Sequence, residues 1–173
     1  MPPADAEPAN LTGDALGSLL RATHLLAPDQ LAAAAVEHAG RFGARELVMY
    51  LIDYEQAMLH PLPGPGAEGR EPLSVEGSAA GLAFRRVEVI AAPAQNGERR
   101  LWLPLQDGVE RLGVVELLGP ADDARLEEAA RAFVSLLAEL LVVNDAYRDV
   151  FAQVRRRRPL TVAAESNGTC CHR

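Results

Sequence analysis

The sequence predicts an α+β fold: an antiparallel sheet of five to six strands, with N- and C-terminal helices packed on one face and a short helix and loops over the other. Three observations carry this expectation. Apolar residues recur with a helical period before residue 43 and after residue 122, but with a period of two in segments between 46 and 118. Turn-forming residues separate several neighbouring strand segments by only a few positions, whereas parallel pairing needs a crossover of about a dozen residues or more. The longest helical segments stand at the chain ends, so they cover the sheet instead of linking its strands.

Residues 1–10, rich in Pro and Ala, read as a disordered leader. A first helix opens near Thr12, placing Leu16, Leu19, Leu20, Thr23 and Leu26 on one face until Pro28 stops it. Asp29 caps a second helix, whose apolar face is Leu31, Ala34, Ala35, His38 and Phe42, and Gly43 closes it. From Glu46 to Ile52 the β-branched and aromatic content predicts a strand, with Asp53–Gln56 as the turn and Ala57–Leu62 as the return. The run Pro61–Gly66 ends that strand, because Pro cannot donate to a ladder. Gly77–Arg85 is expected as a short helix and Val87–Ala92 as a strand. Arg100–Leu105 and Leu112–Leu118 form a hairpin around Gln106-Asp107-Gly108. One long helix is expected from Asp122 to about Arg158.

Composition narrows the function. With 17 basic and 24 acidic residues the net charge is −7, which disfavours nucleic acid and anionic membranes, since both recruit a basic field. The run Arg155–Arg158 reads as a solvated helix end that complements the helix dipole. No apolar run reaches the roughly 20 residues of a membrane span, and the N-terminus has no secretory pattern, so a cytoplasmic chain is expected. All basic residues are Arg and none is Lys, a bias that points to a GC-rich genome.

In order along the chain, Leu51-Ile52-Asp53-Tyr54-Glu55-Gln56, Glu76–Phe84, Leu103-Pro104-Leu105 and Leu112–Leu117 resemble the corresponding segments of GAF domains. The resemblance is closest to the GAF segment preceding the catalytic domain in actinobacterial PPM-type (SpoIIE-like) serine/threonine protein phosphatases, where an Arg-rich helix end meets a junction like Arg155–Glu165. It implies a regulatory sensor with no catalytic residue of its own: residues 11–153 as the GAF-like domain, 154–165 as an Arg-rich linker and 166–173 as a disordered tail. In the family style, residues after Glu165 would read Ile-Gln-Trp-Asp-Leu-Leu-Pro-Pro. Plausible codons for that peptide, with the first base deleted, translate to the observed Ser166–Arg173, so the expectation is a frameshift that cut a longer phosphatase.

Strand alternation gives the candidate site. Leu47, Met49 and Leu51 share one face with Leu101, Leu103 and Leu105, under the helices. The other face carries Tyr50, Ile52, Tyr54, Trp102 and Glu116, with Phe84 above it, a set suited either to a ligand pocket or to a second small core. No cofactor or metal is expected. Cys170, Cys171 and His172 lack ligand spacing and lie in the tail; a covalent bilin would need a Cys near the sheet; the Lys-containing cyclic-nucleotide signature is impossible without Lys. Of the histidines, only His60 approaches a pocket, and a hydrogen-bonded role suits it better than haem ligation. The remaining enzyme alternative, a GAF-fold reductase of free methionine sulfoxide, needs pocket Cys that residues 1–165 do not contain.

A homodimer is the expected assembly. In the last helix Leu126, Ala130, Phe133, Leu137, Leu140, Asn144, Tyr147, Phe151 and Val154 alternate in steps of four and three, a heptad seam, with Asn144 as the single polar residue that fixes register.

Overall fold

A computed structural model describes residues 9–23, 30–121 and 123–143. Helix α1 (Ala9–Thr23) and helix α2 (Leu31–Ala39) come first, followed by a short 3-10 turn (Gly40–Phe42) that Gly43 ends in the left-handed region at φ 96°. Strands β1 (Glu46–Ile52), β2 (Met58–Pro61) and β3 (Leu73–Ser74) precede helix α3 (Ala79–Arg86). Strands β4 (Ile90–Pro93), β5 (Glu98–Asp107) and β6 (Glu110–Pro120) lead to helix α4 (Ala124–Val143). The sheet is six-stranded and antiparallel in the order β3-β2-β1-β6-β5-β4.

The alternation that separates the two faces holds through the register. Leu47, Met49 and Leu51 oppose Leu117, Val115 and Gly113, while Leu101 and Leu103 oppose Leu117 and Val115. This inner face packs under α1, α2 and α4, where Leu19, Ala35, Leu126, Phe133 and Leu137 are fully buried. Phe42 and Phe133 meet edge-on at 5.2 Å. The outer face builds a second core from Val48, Tyr50, Ile52, Leu59, Trp102 and Val114, roofed by Val75, Ala80, Ala83 and Phe84.

Helix α3 forms because Ser78, in extended backbone, accepts a hydrogen bond from the Gly81 N–H at 2.9 Å, leaving a small-residue face toward the sheet. Gly81 has to be glycine, since a Cβ there would overlap the Val75 carbonyl.

Several boundaries differ from the sequence reading. β3 is only two residues and pairs Ser74 and Leu73 with Met58 and Leu59; so short a strand has no period to detect. The strand expected from Val87 starts at Ile90, because Val87 is the left-handed residue at φ 56° that ends α3. The hairpin turns at Gly108-Val109, with Asp107 still paired to Glu110. Pro104 is tolerated in β5 because the ladder with β4 ends at Trp102, so no strand pairs there on that side. The face expected on α1 is rotated: Ala15 and Leu19 are buried, but Leu20 is 44% exposed. Leu26, Pro28 and Asp29, and the part of the expected long helix after Val143, lie outside the described residues.

Candidate functional site

The outer face changes character along its length. Beneath α3 it is apolar; toward the start of β1 it carries Glu46, Glu116, Arg100 and Glu98. Arg100, Trp102 and Glu116 reach the same face because Trp102 opposes Glu116 while Arg100 is two residues before Trp102.

Glu116 is the centre. Its side chain is only 5% exposed, and its carboxylate accepts a hydrogen bond from the Tyr50 hydroxyl at 3.2 Å. The Arg100 guanidinium approaches Oε1 at 2.7 Å and Arg70 approaches Oε2 at 3.2 Å. Two cations and a hydroxyl supply what a buried carboxylate requires, since an unpartnered one costs several kcal/mol. Arg70 also pairs with Glu46 at 3.3 Å, and Arg45 with Glu98 at 2.6 Å, so the charges at this end alternate in sign. Burial, together with the neighbouring Glu116 charge, pushes the Tyr50 phenol up to about 12. The Tyr50 and Trp102 rings lie 5.9 Å apart in a tilted contact beside this carboxylate.

The structure brings together five of the six expected residues. Tyr50, Ile52, Phe84, Trp102 and Glu116 are all buried on the outer face. Tyr54 does not join them. It is 57% exposed, because pairing ends at Ile52 and alternation stops with it. His60 is paired with Leu51 and therefore belongs to the inner face, where its Nε2 lies 3.9 Å from Asp53 Oδ2. Arg70 and Arg100 were not anticipated. Extending the alternation of β5 by one step past Trp102 would have located Arg100; nothing in a Gly- and Pro-rich loop marks Arg70.

Of the expected dimer positions, Leu126, Phe133 and Leu137 are fully buried in the inner core against the chain's own sheet, and Leu140 is half-buried beside it. These three have no surface left to offer a partner. Asn144, Tyr147, Phe151 and Val154 lie outside the described residues, as do Cys170, Cys171 and His172. Among the described residues no group of three or more His, Cys, Asp or Glu is arranged to hold a metal ion, and no helix is long and apolar enough to cross a membrane. An open hollow of about 370 Å³ lies between β5 and α4, lined by Arg99, Glu127, Glu128 and Arg131. Its Arg131–Glu127 pair at 2.8 Å is an ordinary i,i+4 contact on a helix surface.

No protein-family model matches the chain, and no curated protein matches it by sequence. Solved structures do. The GAF domain of a Coxiella burnetii phosphoenolpyruvate-protein phosphotransferase superposes with a TM-score of 0.65 at 14% identity, over 78% of this chain and 95% of its own. The nlh2 GAF domain of A. aeolicus, solved in an inactive state, gives 0.63 at 12% identity over 78% and 98%. Free methionine-R-sulfoxide reductase of Neisseria meningitidis, in complex with its substrate, gives 0.63 at 15% identity over 84% and 95%. The chain therefore has the GAF fold, an architecture that regulatory domains and sulfoxide reductases share.

Proposed function

We propose that this chain is a non-catalytic sensory and dimerisation domain, the regulatory part of a PPM-type protein phosphatase signalling protein, and that it reads a small molecule at the outer-face cluster. The observation carrying the sensory reading is Glu116, a buried carboxylate where the apolar and charged parts of the outer face meet, bordered by two aromatic rings and held in part by a loop arginine. Stability alone does not account for it, since apolar replacement of a buried ion set is often neutral or stabilising. A few polar groups on an aromatic wall are what orient a small ligand.

The reductase reading is disfavoured by chemistry. Reducing a sulfoxide with protein thiols needs a Cys at the site, and the two Cys of this chain are residues 170 and 171. The link to a phosphatase rests on the resemblance of the Arg155–Glu165 junction, and the dimer on the seam that continues past Leu140.

Native mass spectrometry of protein purified without refolding tests the sensory reading; a small molecule of fixed mass is expected to travel with the chain. No bound mass, and no thermal shift across a panel of metabolites, overturns it. The purified chain is expected to show no metal-stimulated hydrolysis of p-nitrophenyl phosphate and no thiol-dependent sulfoxide reduction; either activity overturns the non-catalytic assignment.

A further inference from the structure

Two arginines share the Glu116 carboxylate, and they are tethered differently. Arg100 belongs to a strand and is held in register between Leu118 and Ala92. Arg70 belongs to the loop 62–72, which wraps the edge of β1. Leu62 sits in the inner core and its N–H donates to the Met49 carbonyl at 2.8 Å, while Ala67 packs against the outer core. The loop holds its own shape, with the Ala67 N–H donating to Gly64 O at 3.0 Å and the Arg70 N–H to Ala67 O at 3.1 Å. Arg70 Nε donates to Gly66 O at 3.3 Å, and its terminal nitrogens reach Glu116 and Glu46 at 3.2 Å and 3.3 Å. Those contacts are longer than the 2.7 Å of Arg100, while the two side chains are comparably exposed, at 31% for Arg70 and 38% for Arg100.

The charges follow the same division. Arg70, Arg100, Glu46 and Glu116 sum to zero; without Arg70 the set carries one net negative charge on a partly desolvated surface beside Tyr50 and Trp102. Such a place selects one cation. Planar guanidinium matches a carboxylate in two-point contact, and aromatic rings favour a cation over an anion.

Resting on the sensory reading of this cluster, we propose that Glu116, Glu46, Tyr50 and Trp102 form a recognition site for the guanidinium or primary ammonium group of a small molecule. Arg70 is a tethered stand-in that the ligand displaces, and its displacement releases the loop 62–72 from the outer face.

Trp102 is the chain's single Trp, so its emission reports on this site. Ethylguanidinium and propylammonium serve as cationic probes, with propionate as the anionic control. Arg70→Ala is expected to bind the cations at least about tenfold more tightly than the unchanged chain, because its internal competitor is gone. Glu116→Gln in that background is expected to abolish the binding, and propionate to do nothing throughout. Equal cation affinity with and without Arg70, or binding that survives Glu116→Gln, overturns the proposal. A response to propionate instead of the cations also overturns it, yet leaves the sensory reading intact. No response to any probe overturns it as well, and the sensory reading then stands or falls on the co-purified molecule. A second measurement needs no variant at Glu116: the NMR signal of the Arg70 Nε–H in the intact chain is expected to shift on saturation with ethylguanidinium, and an unmoved signal counts against displacement.

Discussion

At Tyr50 a phenol keeps its proton because burial disfavours the phenolate and ionising it would also place a second negative charge beside Glu116. The folded value of about 12 lies above the ordinary 10.0, so the neutral form is favoured by folding. This contribution is complete below pH 10 and is lost as pH rises through about 12. Urea melts over that interval are expected to show a loss of stability that Tyr50→Phe removes, together with the tyrosinate absorbance component of the same midpoint. Away from alkaline pH, Tyr50→Phe is expected to cost about 1.5–3 kcal/mol for one hydrogen bond to a charged acceptor. Leu103→Ala, in the inner core, is expected to cost about 2–5 kcal/mol. The sequence leaves Trp102 as either a pocket wall or part of a second small core. It is itself buried in the outer core, so truncating it costs about 3–5 kcal/mol and tests packing before binding. Tyr50→Phe and Glu116→Gln are the variants that separate the two.

Among the elements, α3 and the α1–α2 pair each depend on one small local device. Ser78→Ala removes the cap of α3 and is expected to cost about 1 kcal/mol by equilibrium unfolding. Gly81→Ala is expected to cost more, because the Val75 carbonyl would have to move and α3 would lift from the outer core. On the other face, Ser18 joins α1 to α2: its hydroxyl donates to Ala15 O at 3.0 Å, which leaves His38 Nδ1 as the donor to Ser18 Oγ at 3.0 Å. Burial, and then the nearby Arg41 charge, lowers the His38 value below 6.5, so the folded state favours the neutral ring. Stability from this source is present above pH 6.5 and lost as pH falls below it. His38→Gln is expected to flatten that acid-side decline in urea melts.

For the molecule as a whole, the position of α4 changes where a partner can sit. Leu126, Phe133 and Leu137 cover the sheet, so Leu137→Ala is expected to lower the unfolding temperature without weakening any dimer. A homodimer built on the expected heptad seam would use the side of α4 near Leu140 and the heptad positions that follow. Light scattering is expected to show a dimer at micromolar concentration, weakened at least about tenfold by Leu140→Asp or Phe151→Asp. A monomeric intact chain at that concentration sinks the assembly.

What the sequence determined by itself is whatever a local period encodes. Period two divided Leu47, Met49 and Leu51 from Val48, Tyr50 and Ile52, and the register confirms that division because successive strand side chains must alternate. The order of helices and strands was legible for the same reason, and so were Tyr50, Trp102 and Glu116 as neighbours on one face. Only the tertiary structure decided the rest. A two-residue β3 has no period, and Val87 looks like a strand residue until the end of α3 fixes it at a positive φ. A heptad pattern on α4 cannot say whether its apolar stripe meets another helix or a sheet, since both bury the same residues. Arg70 sits 46 positions from Glu116, in a loop whose path is set by packing on both faces of the sheet. A long-range ion pair of that kind leaves no mark on local sequence, because only the folded chain brings its two charges together.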